Sequence, residues 1–234
     1  MTHGIIKNLL YPPVCMFCGK LLSGQTGLCT TCKKEAEWLK EPLCMCCGKP
    51  LVSNAQEYCP DCAQGDRWFD GGRGVFPYRG GMKKAVLDLK SRGRQENAVF
   101  LGKCMAACIG PLFSYWRPDC IVPVPLNRAK LCRRGYNQAK LLAVSVGDCL
   151  ELPVRDDLLF RYPGGKEQKT LGRFARKKGQ QGAFYTVDRP VPERILLVDD
   201  IYTTGSTLDA AAHVLKCAGA EKIWFVTACM GSDF

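Results

Sequence analysis

The sequence predicts an α/β protein in which a parallel β-sheet carries helices on both faces and follows a small cysteine-rich segment. Between residues 195 and 228, an apolar strand, a polar loop, a helix and a second apolar strand follow one another. Neither strand alternates polar with apolar residues, which is typical of strands covered on both faces. The 234 residues are 47% hydrophobic, enough to bury a core. We therefore expect two domains, at residues 1–66 and 67–234.

The cysteine-rich segment is an internal duplication. Cys15-Met-Phe-Cys18-Gly19 recurs 29 residues later as Cys44-Met-Cys-Cys47-Gly48, and a second Cys-x-x-Cys pair follows each copy. Four thiolates at such spacing suit one tetrahedral Zn2+, and the glycines suit the tight turn of a metal-binding knuckle. We predict two structural zinc sites, with sequential and interleaved pairing both open. The predicted ligands are Cys15, Cys18, Cys29, Cys32, Cys44, Cys47, Cys59 and Cys62.

Metal binding by these cysteines presupposes a reducing compartment. The first thirteen residues contain neither an apolar stretch of useful length nor a small-residue cleavage site, and no later run of 18 apolar residues is uninterrupted. We therefore predict a cytoplasmic protein without a membrane span, where Cys-x-x-Cys pairs bind metal rather than form disulfides.

The positive charge of the chain is unevenly distributed. The formal net charge is +11, but residues 1–66 contain six basic and six acidic side chains, so the excess falls on residues 67–234. Much of it lies in three clusters, at 79–94, 128–134 and 161–178. Clusters on separate segments favour a polyanionic partner, such as a phosphate-rich metabolite or nucleic acid.

The larger domain contains several predicted elements. A glycine-rich connector at 64–74 is expected to mark its boundary. Apolar spacing predicts helices from about Gly81 to Leu89 and over 97–109. A short strand at 119–125 is closed by prolines, and a basic loop at 127–138 leads into another helix. Strands at 195–198 and 223–228 flank a helix from about Ser206 to Ala218. Ligands of such sheets bind at the carboxyl ends of the strands.

The loop Thr203-Thr204-Gly205-Ser206-Thr207 lies at one such strand end, directly before a helix. Its hydroxyl groups and N–H groups meet at the positive end of the helix dipole, an arrangement that favours phosphate. A nucleotide P-loop would need Gly-Lys-Ser/Thr, and a dinucleotide site would need Gly-x-Gly-x-x-Gly, and neither occurs here. The loop therefore predicts a site for a single phosphate.

Asp199 and Asp200 precede this loop and would repel a phosphate unless they face other groups. Sugar hydroxyls, or a Mg2+ that also holds phosphate oxygens, would satisfy them. Because consecutive strand residues point to opposite faces, both aspartates can serve one ligand only if the chain turns there, and we expect such a turn.

Residues 195–207, Ile-Leu-Leu-Val-Asp-Asp-Ile-Tyr-Thr-Thr-Gly-Ser-Thr, resemble the phosphoribosyl pyrophosphate (PRPP) motif of type I phosphoribosyltransferases. With Val122-Pro-Val-Pro-Leu126, Arg134-Gly-Tyr-Asn-Gln138 and the cysteine repeat, nearly the whole chain resembles the ComF family of competence-associated proteins. That resemblance implies a type I phosphoribosyltransferase fold after a double zinc ribbon.

The resemblance also implies residue roles. Asp199 and Asp200 would contact ribose and Mg2+ as the catalytic pair, and 203–207 would bind the 5′-phosphate. A mobile hood loop would span 161–178. Candidates for the pyrophosphate and substrate side are Lys90, Lys130, Arg134, Gly135, Asn137, Gln138, Gln168 and Arg176.

Two functions follow from these features. The first is transfer of ribose 5-phosphate from PRPP to an acceptor that the sequence does not identify, with release of pyrophosphate. The alternative is a DNA-uptake factor that binds single-stranded DNA and works with the uptake machinery, with PRPP as a regulatory ligand or not used at all.

Overall fold

The computed structural model describes residues 12–23, 27–65, 67–163 and 183–231. The helices are α1 (Thr30–Glu35), α2 (Pro60–Ala63), α3 (Gly80–Ser91), α4 (Asn97–Trp116), α5 (Arg128–Arg134), α6 (Gln138–Leu150) and α7 (Ser206–Cys217). The strands are β1 (Gly71–Pro77), β2 (Cys120–Pro123), β3 (Phe160–Arg161), β4 (Phe184–Tyr185), β5 (Arg194–Tyr202) and β6 (Lys222–Met230).

The central sheet has four strands in the order β1-β6-β5-β2, and every pairing is parallel. Strand β2 lies at one edge of the sheet, as its proline requires, and on its outer side Ile121 forms an isolated bridge with Val154. A separate antiparallel hairpin joins β3 to β4. All four carboxyl ends lie at the same edge of the sheet, so the loops after β2 and β5 are neighbours.

Strand β5 is longer than the sequence predicted. It continues from Arg194 to Tyr202, so both aspartates lie within the strand and the turn predicted at Asp199 and Asp200 is wrong. Pairing with β6 on both sides of the aspartates, at Val198 and Ile201, keeps the chain extended. The two carboxylates therefore point to opposite faces of the sheet.

Strand β1 corrects a second expectation, because the predicted connector at 64–74 includes the first four residues of this buried edge strand. Its glycines leave room for side chains of β6. A Cβ at Gly72 would lie 2.1 Å from the ring of Phe225, and one at Gly74 would lie 2.3 Å from Met230. Glycine therefore serves close packing here, although in sequence it is typical of a loop.

The two cysteine repeats pack on opposite faces of the sheet. The first repeat contributes Phe17 and Leu28 to the apolar cluster formed with α3, α4 and α6. The second contributes its cysteines to the cluster formed with α7. Between the repeats, the Leu39 N–H donates to the Val75 carbonyl at 2.9 Å, which covers the free edge of β1.

Helix α4 extends beyond its predicted end to Trp116. It is long and apolar enough to cross a membrane by length and composition, with 39% of its most apolar window buried inside the structure. It contacts β1, β6 and α6, so packing on the sheet accounts for its apolar residues.

Candidate functional site

The cysteine sulfurs form two separate clusters. Cys15, Cys18, Cys29 and Cys32 make up one, and Cys44, Cys47, Cys59 and Cys62 the other, with all ligand atoms of a cluster within 4.8 Å of one another. A tetrahedral ion with Zn–S bonds of about 2.3 Å separates its sulfurs by about 3.8 Å. The sulfurs of Cys18 and Cys29 lie 3.8 Å apart, and those of Cys47 and Cys59 lie 3.6 Å apart. The pairing is therefore sequential, and both donor sets fit Zn2+.

The two repeats differ in how deeply they are built into the protein. In the first, Cys18 is exposed, whereas Cys44 and Cys47 of the second are fully buried. Lys49 of the second repeat forms an ion pair with Asp61 at 2.8 Å and lies over the ring of Tyr202. The second metal site thus packs directly beneath the loop that follows β5.

The two aspartates lie at the carboxyl end of β5. Asp200 is 4% exposed, and one of its carboxylate oxygens is 3.0 Å from Nζ of Lys90, near the end of α3. Its other oxygen is buried and has no partner among the described residues. Asp199, on the opposite face, accepts a hydrogen bond from the Asp200 N–H at 2.8 Å. The structure therefore joins Lys90 to the aspartate pair.

Burial and the charge of Asp200 raise the pKa of Asp199, and Arg161 and Lys90 lower it by a smaller amount. Carboxylates at a strand end supply oxygen ligands of the kind that divalent cations such as Mg2+ prefer. Because Asp199 and Asp200 point to opposite faces of β5, Lys90 directly balances the charge of Asp200, and the two carboxylates offer oxygen donors on both sides of the strand end.

The loop at 203–207 has the geometry expected of a phosphate site. Gly205 adopts φ +80° and is the N-cap of α7, and a Cβ there would lie 2.4 Å from Oη of Tyr202. Thr203, Thr204 and Ser206 are exposed, and Oγ1 of Thr204 donates to Oγ of Ser206 at 3.1 Å. The first N–H groups of a helix have no acceptor within it, so they are available to an anion here.

The segment after β2 holds the remaining described candidates. Asn137 is the N-cap of α6, and its Nδ2 donates to the Val124 carbonyl at 3.0 Å, which fixes the turn to the end of β2. Arg134 donates to the buried Gln138 at 2.8 Å, and Gly135 ends α5 with φ +78°.

Tyr136 connects this turn to the aspartate site, since its hydroxyl donates to the carbonyl of Leu89, the residue before Lys90. Lys130 is exposed on α5, and its backbone N–H donates to Oδ1 of Asn127 at 2.8 Å. Gln168 and Arg176, with most of the predicted hood loop, lie outside the described residues.

Sequence reasoning missed the role of Tyr202. Its side chain is 1% exposed, stacks on Phe225 with ring centroids 5.1 Å apart, and lies beside Gly205 on one side and Lys49 on the other. Its only signal in the sequence was a large aromatic residue directly before the polar loop. Tyr202 therefore packs the loop at 203–207 against the second cysteine repeat.

Comparison with known families identifies both parts of the chain. Residues 6–63 match the double zinc ribbon domain, and residues 190–233 match the phosphoribosyl transferase domain. The second match contains β5, the loop at 203–207, α7 and β6, so it covers the aspartates and this loop together. The chain therefore combines a double zinc ribbon with a phosphoribosyl transferase domain.

Several competence and DNA utilization proteins resemble this chain over nearly their full length. Competence protein F of Haemophilus influenzae is 29% identical over 220 residues, which cover 89% of this chain and 93% of the relative. Competence protein ComFC of Streptococcus pneumoniae is 26% identical, covering 89% and 96%. The DNA utilization protein YhgH of Escherichia coli is 29% identical, covering 92% and 97%.

Among solved structures, a purine phosphoribosyltransferase from Pyrococcus horikoshii shares 18% identity with this chain. The match covers 60% of this chain and 75% of the solved chain, with a TM-score of 0.36.

Proposed function

We propose that this protein acts as the ComF family would, binding PRPP with Mg2+ at the carboxyl end of β5 and transferring its ribose 5-phosphate to an acceptor. One observation carries the proposal: two aspartates at a strand end lead directly into an exposed loop of threonines, serine and a left-handed glycine at a helix start. The loop would bind the 5′-phosphate. Because Asp199 and Asp200 face opposite sides of β5, one of them would bind the ribose hydroxyls and the other the metal. The domain match supports this assignment.

In the proposed reaction a nucleophilic nitrogen of the acceptor forms a bond to ribose C1 as the bond from C1 to the pyrophosphate oxygen breaks. Pyrophosphate leaves with the electron pair, and the acceptor nitrogen loses a proton to solvent. Mg2+ would offset the charge that develops on the leaving group. Lys90, Arg134 and the helix start at Gly205 would add positive potential around the reactants.

We further propose residues 1–66 and 67–234 as the two domains, with zinc serving structure rather than chemistry. All four ligands of each site are cysteines, so no coordination position is left for a substrate. The second zinc site would hold Lys49 against Tyr202, and hence the phosphate loop in its conformation.

A second candidate function is binding of single-stranded DNA in DNA uptake or utilization, consistent with a cytoplasmic location. The names of the relatives favour it, as does Trp38, which is 45% exposed and lines a groove with Arg79 at the carboxyl end of β1. DNA phosphate would have to displace Glu37, the ion-pair partner of Arg79 in the same groove. An exposed aromatic side chain beside a cation suits base stacking and phosphate contact. A salt-titrated DNA-binding assay with Mg2+–PRPP as competitor tests it, because competition would mean that one cleft serves both ligands.

Titration calorimetry of Mg2+–PRPP with the zinc-loaded protein tests the first function. We expect saturable binding to the native chain. The affinity of the Asp199→Asn/Asp200→Asn variant should be lower by about tenfold or more, because each charge-assisted contact contributes about 1.5–3 kcal/mol. Equal affinity of the variant and the native chain would refute the assignment of the aspartates.

A further inference from the structure

We propose that a pocket beside the end of β2 binds the acceptor, and that this acceptor is a planar aromatic compound carrying an anionic group. The proposal rests on the PRPP transfer proposed above and names the substrate class of that reaction. We refer to this cavity, enclosed by α5, α6 and the β3–β4 hairpin, as the β2 pocket.

The β2 pocket has the size of a small-molecule site. Its volume is about 540 Å³, and it is bounded by Pro123 and Pro125 at the end of β2. Small-molecule sites commonly enclose about 300–1,000 Å³ and are largely apolar with a few polar groups. A ring system of one or two fused rings with one substituent would fit this space.

One wall of the pocket is aromatic. Phe160 and Tyr185 face each other across the hairpin, with ring centroids 5.5 Å apart and planes inclined by 26°. On the opposite side, Leu131, Leu141 and Val144 present aliphatic surface from two helices. A planar ring placed between these walls would contact apolar groups on both faces, which aromatic ligands prefer.

The charged groups of the pocket leave an excess of positive charge. Lys140 is paired with the one acidic residue of the lining, Asp156. Arg128 and Arg161 also line the pocket, and neither forms an ion pair with any described residue. Nε of Arg161 is buried and unpartnered in the described structure, although Arg161 lies 5.0 Å over the ring of Phe184. A buried unpaired guanidinium nitrogen favours an anionic ligand group.

The pocket adjoins the proposed PRPP site on two sides. Gly135, Tyr136 and Asn137 line it from the turn that Tyr136 connects to the backbone beside Lys90. Pro123, which lines the pocket, pairs with Val198, the residue directly before Asp199. An acceptor in the pocket would therefore lie next to the ribose, with its anionic group directed to Arg161.

Three simple probes test the proposed ligand class. Benzoate has a ring and a charge, aniline has a ring without a charge at pH 7, and cyclohexanecarboxylate has a charge without an aromatic ring. Saturation-transfer NMR on the zinc-loaded full chain with Mg2+–PRPP would measure their affinities. We expect benzoate to bind about tenfold more tightly than either of the other probes, because only benzoate has both an aromatic ring for the apolar walls and a carboxylate for Arg161.

Two variants locate the binding. Val144→Trp fills the pocket from α6, and Arg161→Gln removes its charge, so each is expected to weaken benzoate by about tenfold or more. Val99→Trp is the matched control, because Val99 is 46% exposed and Val144 is 43% exposed, and Val99 does not line the pocket. Its benzoate affinity should equal that of the native chain.

Equal binding of the three probes, no benzoate binding, or unchanged benzoate binding in Val144→Trp would overturn the proposal. Titration of Mg2+–PRPP on the same samples distinguishes this failure from that of the proposed function. If PRPP binds and benzoate does not, only the acceptor class is wrong. If PRPP itself does not bind, the proposed transfer fails.

Discussion

The ion pair between Lys90 and Asp200 supports a prediction about the stability of the site. The two charged atoms are 3.0 Å apart, and the side chains are 19% and 6% exposed. At an effective dielectric constant of about 20, the attraction at this distance is about 5 kcal/mol before desolvation is subtracted. Removing one partner of a fully buried pair costs about 3–5 kcal/mol because the other charge is left unpaired.

We expect Lys90→Met to destabilise the chain by about 3 kcal/mol, at the lower end of that range because water reaches the lysine. In a chain of this size the loss corresponds to a decrease in Tm of about 6–12 °C. Asp200→Asn should also destabilise, since it leaves the ammonium group without its partner. The double variant should recover about 2 kcal/mol relative to the sum of the single changes.

Calorimetric unfolding of the four zinc-loaded proteins measures this double-mutant cycle. As an independent readout, Mg2+ should raise the Tm of Lys90→Met more than that of the native chain, because the cation compensates for the missing ammonium group. A Lys90→Met variant as stable as the native chain, or a double variant with strictly additive losses, would contradict the interpretation of this pair.

Three further predictions test the fold, the electrostatics and the metal sites. Gly72→Ala should lower the free energy of unfolding by about 3 kcal/mol through overpacking, measured by urea denaturation. Gly110→Ala, where a Cβ would meet open space, should leave the free energy of unfolding unchanged or raise it. Equal effects of the two substitutions would argue against the placement of β1. Burial raises the pKa of Asp199 above its unfolded value. The protonated side chain therefore contributes to the free energy of unfolding at low pH, and this contribution is lost as pH rises through the folded pKa. Mg2+–PRPP binding should strengthen over that same window and release a proton, which calorimetry in two buffers detects and Asp199→Asn abolishes. Cys47→Ser should lower the Tm of the protein at least twice as much as Cys18→Ser, because the second cysteine cluster is buried against α7 and the first is partly exposed. Equal decreases in Tm would contradict this packing.

The features that depend on local chemistry could be predicted from the sequence. The zinc ligands follow from spacing, and the loop at 203–207 follows from residue types between an apolar strand and a helix. Strand β1 could not be predicted, because Gly72 looks like a loop residue until Phe225 is known to occupy the space above it. Asp199 and Asp200 were identified, but the continuation of β5 depends on pairing with β6, which no local pattern specifies.

Long-range packing accounts for the remainder of the site. Lys90 matched a family position, but its pairing with Asp200 depends on how α3 lies against β5. Likewise, the contact between Lys49 and Tyr202 joins residues from the two predicted domains, and their separate motifs carry no information about it. The spacing of the cysteines also did not decide between sequential and interleaved metal sites, because that choice depends on how the two repeats fold. The sulfur positions show two sequential clusters.

Phosphorus NMR of PRPP with Mg2+ tests the central claim most directly, because the 5′-phosphate and the pyrophosphate group give separate resonances. We predict that the native chain shifts or broadens both, and that Gly205→Ala selectively loses the effect on the 5′-phosphate, since a Cβ there meets Tyr202 and distorts the loop. A 5′-phosphate resonance that the native chain leaves unchanged at saturating protein would contradict the assignment of the loop as the phosphate site.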